Sequence, residues 1–77
     1  MNKFKRDILA KAAWKISDAR TDIEEVKDLE EEGYENLSDG LKETEMGIKL
    51  EECASALSDI CDELDGVIDE LNDVIEM

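Results

Sequence analysis

Residues 50–76, "LEECASALSDICDELDGVIDELNDVIE", decide the fold. Leu50, Cys53, Leu57, Ile60, Leu64, Val67, Leu71 and Val74 alternate steps of three and four without a break. Side chains at that spacing return to one side of an α-helix, and Leu fills every a position of the implied heptad. A second apolar row, Ala54, Cys61, Ile68 and Ile75, runs beside the first. A stripe that wide exceeds a two-stranded seam and suits a helix with more than one neighbour.

The first half repeats the pattern more weakly. Leu9, Ala12, Ile16, Ala19, Ile23 and Val26 form one seam, with Ile8 and Leu29 beside it. The spacing predicts helix 1 over about residues 4–33, a corner over 34–43 and helix 2 over about 44–76, all in one domain spanning 1–77. Thr44 is the expected cap of helix 2, and Ser38 the expected cap of a short turn before it, because either hydroxyl can accept a free N–H. A short connection between long helices implies an antiparallel hairpin. Two helices cannot cover both stripes, so the expected fold is all-α: hairpins self-associating into a helical bundle, most simply a dimeric four-helix bundle. Its core would draw on Ile16, Ile23, Leu50, Leu57, Ile60, Leu64, Val67, Ile68, Leu71 and Ile75.

Composition supports long helices and excludes several functions. Proline is absent, aromatics are 4% and charged residues 42% of the 77, which disfavours a sandwich or barrel. The net charge is −14, unevenly spread: residues 1–20 carry a net +4 and residues 21–77 a net −18, with no Lys or Arg after Lys49. Phosphate contacts need clustered cations, so the chain is not expected to bind nucleic acid directly. Folding back sets the basic start of helix 1 beside the acidic end of helix 2, a bias on orientation more than a source of stability.

Catalysis finds no support. His is absent, the serines stand singly, and Cys53 and Cys61 lie on the apolar stripe without a base. No enzyme, cofactor or metal is expected. "CDELDG" at 61–66 resembles the opening of a calcium loop, yet Cys61 takes the first ligand position and Asn72 the place of the bidentate Glu. Eight residues separate the cysteines, about 12 Å along a helix, too far for a disulfide. Two reduced thiols point to the cytoplasm; "NLS" at 36–38 fits a glycosylation sequon, but nothing else suggests secretion. The basic, partly aromatic "MNKFKRDILAKAAWK" has the composition of a surface anchor, but an acidic helix folded alongside offsets any membrane attraction.

Three surfaces remain. Glu52, Asp59, Asp62, Asp69, Asp73 and Glu76 occupy outward positions of helix 2. Carboxylates one turn apart are about 6 Å apart, close to phosphate spacing, so such a face could imitate DNA toward a basic host protein; a solvated surface is the plainer reading. Trp14 lies opposite the helix 1 seam, among Ala10, Lys11, Ser17 and Asp18, as an interface anchor or as plain surface. Gly66, also off the seam, either admits a close neighbour or is simply tolerated.

The third is the corner. In "YENLSDGLKETEMG", residues 34–47, Tyr34, Leu37 and Leu41 stand where a turn could have been polar. They either cap the open end of the bundle or form a recognition surface whose polar groups come from Asn36, Asp39, Lys42 and Thr44. Residues 30–75 resemble a group of small acidic proteins from phages and prophages of Gram-positive bacteria, in which a Glu run precedes an aromatic, Asn-Leu-Pro, Leu-Gln, Ser/Thr and Gly. Tyr34, Asn36, Leu37, Leu41, Thr44 and Gly47 match that pattern, while Ser38 stands for the usual Pro and Lys42 for the usual Gln. The resemblance implies a mobile-element origin and a helical hairpin, and supplies no mechanism. Function is therefore expected to be binding: an oligomeric interaction module, a DNA-mimicking inhibitor, or an assembly sequestering a small signalling ligand at its gathered basic N-termini.

Overall fold

The computed structural model describes all 77 residues and contains three helices: α1 over Lys3–Glu35, α2 over Asp39–Lys42 and α3 over Glu45–Glu76. There is no strand, and α1 and α3 form an antiparallel hairpin 59 Å long and 15 × 13 Å across. Tyr34 and Glu35 complete α1 rather than opening the corner, and α2 is a single turn within it.

Each helix start is closed by the side chain before it. Asn2 Oδ1 accepts from the Lys5 N–H at 2.8 Å, Ser38 Oγ from the Leu41 N–H at 3.3 Å, and Thr44 Oγ1 from the Gly47 N–H at 3.4 Å. Ser38 and Thr44 thus cap the elements that the sequence assigns to them. At the far end of α1 the Asn36 N–H donates to the Glu32 carbonyl at 3.0 Å.

Between the helices the contact is thin and built from small side chains. On α3 the inward row is Gly47, Ala54 and Cys61, all buried, continued by half-buried Ile68 and Ile75. On α1 it is buried Ala13 among half-buried Arg6, Ala10, Ser17, Arg20, Glu24 and Lys27. Small residues let the backbones approach, so the Cys61 Sγ lies 3.9 Å from the Arg20 carbonyl. Arg20 ties the middle together: its Nη2 donates to Asp65 Oδ2 at 3.2 Å, its Nε lies 2.8 Å from Asp65 Oδ1 in an ion pair too bent for a hydrogen bond, and its Nη1 reaches Glu24.

Only Ala13, Gly47, Ala54 and Cys61 are buried, so the hairpin alone has almost no core. The accessible surface is 5727 Å², against about 4,700 Å² for a compact chain of this mass. The radius of gyration is 17.4 Å, against about 11.5 Å for a compact domain of this length.

Candidate functional site

The rows that the sequence marks as main seams do not face each other within the hairpin. Leu9, Ile16 and Ile23 sit one residue before Ala10, Ser17 and Glu24; Cys53, Ile60, Val67 and Val74 sit one residue before Ala54, Cys61, Ile68 and Ile75. On antiparallel helices the same one-residue offset turns both rows to the same side. The result is one long apolar face, open to solvent: Val26 is 49% exposed, Ile60 40% and Val67 42%. Leu50, Leu57, Leu64 and Leu71 are half-buried along its midline, opposite Ile16 and Ile23. Of the ten core positions named from sequence, Ile68 and Ile75 turn instead toward α1 and help close the hairpin itself.

The edges of this face carry ordered charge. Along α1 it passes from Lys5 and Lys15 near the termini to Asp22 and Glu30 toward the corner. Along α3 the order is reversed in space, with Lys49 toward the corner and Glu63 and Glu70 near the termini.

The opposite side is polar. Asp62 and Asp69 project on this side of α3, with Glu52, Asp59 and Asp73 further round, and all five are exposed. Asp18, Glu25 and Asp28 of α1 extend the acidic surface across the hairpin. Trp14, 71% exposed, stands on this side too, over a shallow groove lined by Ala13, Ser17, Ile68 and Asn72. The segment 61–66 is continuous helix, and no group of three or more Cys, Asp and Glu side chains is arranged to hold a metal ion.

At the corner the six singled-out residues divide by task. Thr44 is consumed by structure: its hydroxyl donates to the Leu41 carbonyl while accepting from Gly47. Lys42 Nζ sits 5.3 Å from the centre of the Tyr34 ring, a cation–π contact joining α1 to α2. The Glu51 carboxylate beside the Tyr34 hydroxyl favours the neutral phenol and raises its pKa above the ordinary 10.0. Tyr34 and Leu37 are half-buried, whereas Leu41 and the Asn36 side chain are exposed. Beside Tyr34 an open groove of about 380 Å³ runs between Glu31, Glu35, Glu51 and Asp59.

Sequence reasoning named Gly47 only as part of the corner pattern and missed its packing role, and it missed Arg20 altogether. A methyl group on Gly47 would stand 2.5 Å from the Lys42 carbonyl oxygen and 2.6 Å from that of Leu41, so only Gly lets α2 rest against the first turn of α3. Arg20 reads as an ordinary surface cation because its acidic partner lies 45 residues away. No family model matches the chain, and no curated protein or solved structure matches it either. No helix is long and apolar enough to cross a membrane.

Proposed function

We propose that this chain is a non-enzymatic interaction module that self-associates through its apolar face, most simply as a dimeric four-helix bundle, and then binds other proteins with its outer surfaces. The observation that carries the reading is the uncovered face joining Ile16, Ile23 and Val26 to Ile60, Leu64 and Val67. Covering the surplus of about 1,000 Å² on each of two copies would bury about 2,000 Å², the size of a stable protein interface. The edge charges favour a second copy as the occupant, since a chain edged both ways complements itself. The resemblance of the corner to small phage and prophage proteins supports an accessory role on a mobile element.

Sedimentation equilibrium tests the assembly. Wild type is expected to sediment as a discrete oligomer, and Val67→Asp to dissociate it by placing an unpaired charge within the buried face. A folded wild-type monomer at micromolar concentration overturns the reading.

DNA mimicry is the second reading, carried by the acidic surface that extends over both α1 and α3. It leaves the apolar face free for assembly, so the two roles are compatible. Native mass spectrometry of the protein drawn gently from its host separates them. A stoichiometric basic DNA-binding protein, released by salt, supports mimicry; a bare homo-oligomer supports assembly alone.

A further inference from the structure

We infer that the second copy docks head to tail, with its corner against the termini of the first. This rests on the self-association proposed above and specifies its geometry. Two twofold arrangements can bury the apolar face. In the like-ended one, α1 lies across from the partner's α3 and the two corners meet; in the head-to-tail one, α1 crosses the partner's α1 and the corners lie apart.

The edge charges are satisfied by both. Like-ended docking sets Lys5 and Lys15 against the partner's Glu63 and Glu70; head-to-tail docking sets them against the partner's Asp22 and Glu30. The ends of the hairpin decide between them. The corner half, residues 20–60, carries four basic and fourteen acidic side chains, a net −10. The half bearing the termini, residues 1–19 and 61–77, carries five basic and nine acidic side chains, a net −4. Like-ended docking brings −10 against −10 at one end and −4 against −4 at the other, whereas head-to-tail docking brings −10 against −4 at both, and the repulsion concentrated at the −10 end outweighs the relief at the −4 end. Bundle helices are about 8–10 Å apart, within roughly one screening length at physiological salt, so the difference is felt across the bundle.

The assembly is then a rod with one corner surface at each end, nearly the hairpin's full 59 Å apart. Each corner presents Leu41, the Asn36 side chain and the Tyr34–Lys42 pair.

Spin labels at the corners test the orientation. Gly40 is exposed, and nothing lies within 4 Å of a side chain added there. The label goes on Gly40→Cys in a Cys53→Ser background, leaving Cys61 buried and unreactive. Electron–electron dipolar spectroscopy on a sample of known sedimentation mass is expected to give a label separation near 59 Å. A separation of about 20–25 Å, the span of neighbouring hairpins, in a dimeric sample overturns the orientation and leaves the self-association standing. A monomeric sample with no dipolar signal overturns both.

Discussion

Gly47 and Gly66 are both helical glycines of α3, and a methyl group has opposite consequences at the two. At Gly47 it meets two backbone oxygens that cannot step aside, so Gly47→Ala is expected to lower stability by about 1–3 kcal/mol and to loosen the corner. At Gly66 it meets nothing within 4 Å, so Gly66→Ala is expected to raise stability by about 1 kcal/mol through helix propensity alone. Chemical denaturation of the two variants beside wild type checks both signs. Tyr34 and Lys27 each contribute an alkaline dependence. Glu51 raises the Tyr34 pKa, and Asp28, 3.1 Å from Lys27 Nζ, raises that of Lys27 above its ordinary 10.5. Both groups favour their protonated forms in the folded chain. Their stabilisation is therefore present below the unfolded values and lost as pH rises through the higher folded ones. Tyr34 is the only tyrosine, so its phenolate absorbance reports the site directly. Its midpoint is expected above 10.0 in the folded chain, to return to the ordinary value in denaturant, and to fall part of the way in Glu51→Gln, since burial and the Asp39 charge still raise it.

Among the helices, α1 is the weaker. Its first turns carry Lys3, Lys5 and Arg6 and its last carry Glu30, Glu31, Glu32 and Glu35, the reverse of what its macrodipole favours. It is held by the Asn2 cap, by α3 and by Arg20. Truncating Arg20 and Asp65 to Ala, singly and together, is expected to reveal a coupling of about 0.5 kcal/mol, modest because Asp65 is half exposed. At α3 the Thr44 cap is clearer: Thr44→Ala is expected to cost about 1 kcal/mol and Thr44→Ser almost nothing, as read by thermal melts.

For the whole molecule, apolar burial and self-repulsion act in opposite directions. Two copies at −14 each repel, and raising ionic strength from about 0.01 M to about 1 M shortens the screening length from about 30 Å to about 3 Å. If the apolar face holds the copies, the oligomer tightens as salt is added. A steady loss of mass with salt in sedimentation runs would instead mean that the edge ion pairs hold it.

Element type and position were legible in the chain because they are local properties. The three–four spacing from Leu50 to Val74, the absence of proline and the hydroxyls of Ser38 and Thr44 specify two long helices and a capped corner whatever surrounds them. The width of the α3 stripe marked more apolar surface than one neighbouring helix covers. Which row met α1 was a matter of rotation, and rotation is set by how closely two backbones can approach. Ala13, Ala54 and Cys61 permit the closest approach, so these small residues took the inside of the hairpin, with Ile68 and Ile75 continuing their row, and left Ile16, Ile23, Ile60 and Val67 on the open face. Arg20 with Asp65, and Gly47 under the carbonyls of Leu41 and Lys42, likewise arose only once distant or turning segments met in space. Local spacing determined the helices; the packing of small side chains decided which face they left open.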